Sequence, residues 1–246
     1  MEPLVIDGTL HLVGVGAYLP MSRTLVVSDL QIGQEGQLRA QGHEVPYQDA
    51  QAIKQSLLAM LDATGAARVV VDGDLKHAFG QILPQERRDV REVITALQER
   101  AEVVLVRGNH DTLTRPLAEE LGLALHDSWS DGETLVLHGH KEAAIPAGVK
   151  TMIIGHLHPA VALSDGVRAE RVKCFLVGEH AGKRLVVLPS CTTLAAGADV
   201  LRVEPRGPLL DRKTVDSAVI YIVTDDGVKH LGTVRRVREA MGRIDG

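Results

Sequence analysis

The sequence predicts an α/β fold in which two mixed β-sheets are flanked by helices. The first half of the chain alternates short apolar runs with stretches of helical periodicity. The second half carries further apolar runs with little helical pattern between them. No linker rich in Pro, Gly or Ser divides the 246 residues. Residues 1–246 therefore read as a single domain, with the part from about 200 onward a C-terminal extension packed on it.

Taken in order, Thr9–Leu12 and Gly16–Leu19 read as a hairpin and Thr24–Ser28 as a strand ending at Asp29. Tyr47–Leu61 has the helical spacing of Ala50, Ile53, Leu57, Leu58 and Leu61. Arg68–Val71 is a buried strand meeting Asp72–Gly73–Asp74. Pro84–Arg100 starts with Pro and keeps Val90, Val93, Ile94 and Leu97 on one face of a helix. Val103–Val106 is a third strand, ending at Arg107–Gly108–Asn109–His110–Asp111. This strand–helix alternation argues for parallel strands with crossover helices. Further on, Glu133–Leu137, Thr151–Ile154, Val172–Val177, Arg184–Leu188 and Ala218–Thr224 read as strands of a second sheet. Three or four layers follow.

Charge and composition exclude several functions. A net charge of −5 gives no global basic footprint, and 2% aromatic residues leave no stacking platform for single strands. The clusters Arg87, Arg88, Arg91 and Arg235, Arg236, Arg238 read as a solvated helix face and a charged tail. Cys174 and Cys191 match no metal-knuckle spacing and read as reduced thiols, which suits a cytoplasmic protein. No apolar run is long enough to suggest a membrane span or a signal peptide. Homo-oligomerisation stays open.

Chemistry concentrates where the strands end. Asp29 and Gln31 follow one strand; Asp72 and Asp74 close another. Asn109, His110 and Asp111 follow a third, His138 and His140 a fourth, His156 and His158 a fifth. Ligands of open α/β sheets bind beyond such carboxyl ends. Four of these pairs are spaced i, i+2, which in extended backbone aims both side chains to one side. Oxygen and nitrogen donors without thiolate suit Mn²⁺, Fe or Zn²⁺. Two such ions about 3.5–4 Å apart can clamp an in-line displacement at phosphorus.

Ser28–Asp29–Leu30–Gln31, Gly73–Asp74, Gly108–Asn109–His110–Asp111, His138–Gly139–His140 and Gly155–His156–Leu157–His158 resemble, in order, the five blocks of the calcineurin-like metallophosphoesterases. Gly73–Asp74–Leu75–Lys76–His77–Ala78–Phe79–Gly80, Gly155–His156–Leu157–His158–Pro159–Ala160, Leu188–Pro189–Ser190 and Gly197–Ala198–Asp199–Val200 are similar to the archaeal SbcD-related group of phosphoesterases.

That resemblance implies a sandwich of the metallophosphoesterase type and a divalent-metal-dependent phosphodiesterase or nuclease with a two-metal mechanism. Its substrate would be a phosphate ester, with DNA or RNA among the candidates. One ion, expected to be Mn²⁺, would sit on Asp29, Gln31, Asp74 and His158. The other would sit on Asp74, Asn109, His138 and His156. His110 would stand beside the scissile group as acid or charge stabiliser, and Asp111 would orient its loop. His77 and His140 would contact substrate or support the ligands. The family usually has His where this chain has Gln31. A weakened metal site on a non-catalytic interaction scaffold is therefore the alternative reading.

Overall fold

Strands buried on both faces read as continuous apolar runs, and here each such strand sends alternate side chains into different layers. Leu25 and Val27 pack towards helices while Val26 between them packs towards the other sheet. Val69 and Val71 divide from Val70 in the same way, and in the second sheet Met152 and Ile154 from Ile153. The result is four layers: helices, sheet, sheet, helices. This computed structural model describes residues 1–44, 49–78, 82–164, 169–202 and 207–242.

The first sheet has the order β1 (Leu4–Asp7), β2 (Leu10–Val13), β3 (Gly16–Leu19), β4 (Thr24–Ser28), β5 (Arg68–Asp72), β6 (Glu102–Val106) and β7 (Leu125–His126). β1 to β4 are antiparallel; β4 to β7 are parallel. The parallel pairs are joined through helices, as crossover geometry requires. α1 (Gln34–Ala40) and α2 (Asp49–Thr64) follow β4, α3 (Pro84–Gln98) follows β5, and α4 (Thr114–Glu120) follows β6. Ile53, Leu57 and Met60 of α2 and Val90, Val93, Ile94 and Leu97 of α3 bury their apolar stripes on this sheet. Pro84 opens α3, where a missing N–H costs nothing.

In the second sheet, β8 (Trp129–Ser130) pairs antiparallel with β9 (Thr134–Val136). β9, β10 (Thr151–Ile154) and β13 (Lys183–Val187) are parallel. β12 (Ala169–His180) runs antiparallel to β13, to β11 (Pro159–Ser164) and to β15 (Val219–Thr224). β14 (Ala198–Asp199) joins β11, and β16 (Gly227–Thr233) joins β15. α5 (Arg212–Ser217) and α6 (Val234–Gly242) cover the outer face with Val215 and Val234. Both sheets are mixed, as expected. The space between them is filled by Leu10, Leu12, Val26, Val70, Val136, Ile153, Phe175 and Val186.

Element boundaries differ from expectation in instructive places. The second half holds more helix than its pattern suggested: α6 covers the arginine-rich segment that reads as a tail. Arg235 and Arg236 are exposed, but Arg238 bonds Asp216 at 2.6 Å and the Leu201 carbonyl at 2.9 Å. Arg87 and Arg91 on α3 both pair with Glu120, which offsets part of the charge of this cluster. Cys174 and Cys191 are buried free thiols. Among the described residues no helix is long and apolar enough to cross a membrane. Tyr47, expected to start a helix, and the motif residues Phe79 and Gly80 lie outside the described residues.

Candidate metal centre

Register decides where the polar residues meet. Ser28 lies level with Asp72, and Asp72 with Val106, so β4, β5 and β6 end at one edge of their sheet. β9 and β10 end at the same edge of the other sheet. Beyond the strands the ladder continues through the loops. Asp29 N–H donates to the Gly73 carbonyl, Gln31 N–H to Asp74, Ile32 N–H to Leu75 and His77 N–H to Ile32. Ser190 bridges Ser28, and Cys191 N–H reaches the Ser28 carbonyl, which draws the second sheet onto the first.

The i, i+2 pairs converge by a different route from the extended one expected. Asp29, Gln31, Asp74, His156 and His158 all have φ between 45° and 67°. Side chains rarely adopt this left-handed region. Such strain persists where surrounding structure over-determines it, and functional sites are where it gathers. Each of these residues lies within four residues of a strand end. Two glycines make room. A Cβ on Gly108 would lie 2.2 Å from Asp74 Oδ1, and one on Gly155 would lie 1.7 Å from Ser28 Oγ.

At the centre, one donor atom each of Asp74, His138 and His156 lies within 4.8 Å of the others. His138 Nε2 stands 3.2 Å from Asn109 Oδ1, 3.4 Å from Asp74 Oδ2 and 3.8 Å from Asp29 Oδ1. Its Nδ1–H donates to the Asp72 carbonyl at 3.0 Å, which leaves Nε2 facing the carboxylates. His158 Nε2 is 3.0 Å from Asp29 Oδ1, yet that buried oxygen has no aligned hydrogen bond. Asp29 Oδ2 is held instead by Ser28 Oγ and the His156 N–H. Oxygen and imidazole donors converge on one spot, and the buried Asp29 Oδ1 is left without an aligned hydrogen bond. These residues fit a divalent cation.

Electrostatics say the same. Burial opposes a charge on Asp29, but His158 and His138 hold its carboxyl down at about 2. Burial likewise opposes a charged His138, and Asp74, Asp29 and Asp72 overcome it and push the imidazole to about 10. The site thus favours positive charge at His138 Nε2. Asp72 goes the other way. Its burial, with Asp29 and Asp74 nearby, raises it to about 8 against the opposing effects of His138 and the Gly155 backbone. Burial and the neighbouring His138 and His156 lower His140 to about 4.

The remaining expected residues surround this centre. His110 N–H donates to Asp74 Oδ1 at 2.8 Å, and its Nε2 lies 3.8 Å from Asp74 Oδ2. Asp111 is buried beneath the loop, where Oδ2 accepts from the Asp74 and Gly108 N–H groups and Oδ1 from Thr114 Oγ1. The His140 ring centre is 5.4 Å from that of His138 and 6.1 Å from that of His156. Gln31 lends its amide to neighbours: Nε2 donates to Asp74 Oδ2 at 3.1 Å and Oε1 faces His77 Nδ1 at 2.6 Å. Sequence reasoning missed Ser28, which fixes Asp29, and Lys76, which lies under the His110 loop.

No family model and no curated protein matches the sequence. Among solved structures, the chain is similar to the Pseudomonas putida nuclease MPE, with a TM-score of 0.66 at 21% identity over 94% of this chain and 99% of that one. The fold is that of this nuclease. A fainter likeness runs to Yfce, a phosphoesterase from E. coli, with a TM-score of 0.38 at 17% identity over 82% of this chain and 88% of that one. The likeness to the nuclease is consistent with the expected sandwich of two mixed sheets.

Proposed function

We propose that this chain is a divalent-metal-dependent phosphoesterase, a phosphodiesterase or nuclease that hydrolyses P–O bonds by a two-metal mechanism. The carrying observation is the convergence of Asp29, Asp74, Asn109, His138, His156 and His158 at the shared edge of two sheets, with the buried Asp29 Oδ1 lacking an aligned hydrogen bond. The fold shared with a nuclease supports the reading at the level of architecture. The sequence motifs point more finely to a nuclease of the SbcD-related kind working in the cytoplasm.

In this proposal Asp29, Gln31, Asp74 and His158 would hold one ion and Asp74, Asn109, His138 and His156 the other, with Mn²⁺ as the expected metal. Bound there, the ions supply Lewis acidity and a water made nucleophilic at neutral pH. The protein supplies position. Asp74 is fixed from one side by the His110 N–H, and its loop by Asp111, so the shared carboxylate is preorganised. His110 Nδ1–H donates to the His77 carbonyl at 2.7 Å, because a carbonyl can only accept. Its Nε2 is then the atom that faces reacting groups; when the ring carries a second proton there, it can protonate the leaving oxygen or stabilise phosphoryl charge.

One observation favours the alternative, a scaffold with a weakened metal site: the amide of Gln31 is already engaged by Asp74 and His77. Metal content after purification and turnover of bis-p-nitrophenyl phosphate with Mn²⁺ or chelator separate the two. The enzyme reading expects bound metal and chelator-sensitive turnover. Full turnover after chelation, or none with metal bound, overturns it.

A further inference from the structure

Among the described residues, Lys76 is the largest side chain with no solvent exposure. Placing an ammonium inside a protein is costly unless it is well partnered. An apolar residue would fill the same space at no such cost. Lys76 is partnered in a particular way. Its Nζ donates to the main-chain carbonyl of His110 at 2.8 Å and to that of Ala78. Burial lowers its pKa, and the negative charges of Glu86, Asp111 and Asp74 offset part of that effect. Glu86 is itself pinned by the Ala78 and Leu83 N–H groups.

Two hydrogen bonds join the described part of the loop carrying Lys76 to His110. Lys76 Nζ takes the His110 carbonyl, and the His77 carbonyl takes the His110 Nδ1–H. The two contacts act on opposite ends of one residue. Fixing the backbone at His110 sets how far the ring sits from the His77 carbonyl. The ring contact then sets the tautomer and turns Nε2 towards Asp74. Donors bound to two carbonyls on separate loops can hold this spacing; a methylene chain of the same volume cannot.

We infer that Lys76 is a positioning residue for His110, a buried clasp that fixes the backbone and ring of the group facing the scissile phosphoryl. This inference rests on the phosphoesterase reading for its kinetic consequence, though not for its geometry. Lys76 touches no substrate. Its effect passes through His110, so removing it costs rate only while His110 is present.

The test combines spectroscopy with a double-mutant cycle on the full chain. In wild-type protein stripped of metal, imidazole ¹⁵N spectra should show His110 as the Nδ1–H tautomer; the Nε2–H tautomer overturns the inference without any variant. Lys76→Met should mix the two tautomers. With Mn²⁺ and a diaryl phosphate of poor leaving group, Lys76→Met should lower kcat by roughly 10–100-fold with KM changed less than about twofold. In a His110→Ala background it should cost less than about twofold. Lys76→Gln keeps an N–H donor one bond short, folds with less disruption, and should recover part of the lost rate. Equal losses in the two backgrounds, or a rise in KM with kcat intact, would mean that Lys76 serves the fold or the substrate instead. Should wild type with Mn²⁺ turn over no ester, the phosphoesterase reading fails, while the spectra still decide the role of Lys76.

Discussion

Gln31 Oε1 lies 2.6 Å from Nδ1 of His77. The amide can be assigned from its other end: the group 3.1 Å from Asp74 Oδ2 must be the donor, since a carboxylate accepts. Oxygen therefore faces His77, whose Nδ1 carries the proton. An amide oxygen committed to an imidazole must turn before it can serve a metal.

From this follows the first expected outcome, on Gln31→His. The proposed ion on Asp29, Asp74 and His158 should bind more weakly than its neighbour on Asn109, His138 and His156. An imidazole at residue 31 should strengthen it, lowering the Mn²⁺ needed for half-maximal activity by about tenfold. Calorimetric titration of both proteins checks this beside the kinetics. An unchanged titration with an altered KM would reassign Gln31 to substrate contact.

Asp74→Ala should abolish turnover and empty both positions, because the carboxylate touches the Gln31 amide, the His110 N–H and His138 at once. Metal analysis of the purified variant reads this directly. A variant with near-wild-type rate and metal content would show that another residue bridges.

Much of this was legible in the sequence, for physical reasons that can be named. Strands such as Arg68–Asp72 and Thr151–Ile154 are apolar on both faces and end abruptly in donors, so both the strand and its functional end are marked by one change of polarity. The left-handed conformations of Asp29, Gln31, Asp74, His156 and His158 were not legible, since these residue types carry no signal for that region comparable to glycine. Lys76 was equally hidden. A lysine between Leu75 and His77 reads as a surface residue, and only the fold shows it buried under His110. α6 was missed because its arginines dominate the composition, while its burial rests largely on Val234.

A steric prediction concerns Gly155→Ala. The new Cβ would fall 1.7 Å from Ser28 Oγ and 2.6 Å from Asp29 Oδ2, in a region where both residues are fully buried. Ser28 would have to release Asp29. Overpacking of this kind costs about 1–3 kcal/mol, and a lower melting temperature should report it. Mn²⁺ titration should show the greater loss at the position served by Asp29. Unchanged melting and titration would mean that the loop relaxes freely.

The last prediction concerns pH. Burial works against a charge on His138, but Asp74, Asp29 and Asp72 together hold its imidazole at about 10. At neutral pH a proton therefore competes with metal for Nε2. Metal needs the neutral ring, so binding must expel that proton. Affinity for Mn²⁺ should rise with pH from about 6 towards 10, by up to about tenfold per unit if one proton leaves. His156, lowered by burial and by His138, should release none near neutrality. The same shift sets stability. A folded pKa above the unfolded value of 6.5 gives stabilisation that is complete below 6.5 and lost as pH rises through 10. Asp72, raised to about 8, adds to the trend, because its folded form resists ionisation that the unfolded chain accepts above about 4. Metal-stripped protein should thus melt at lower temperature as pH rises from 6 to 10, while saturating Mn²⁺ should flatten the profile. Calorimetry in two buffers of different ionisation enthalpy counts the protons released. A count of zero at pH 7, with affinity independent of pH, would remove His138 from the ligand set.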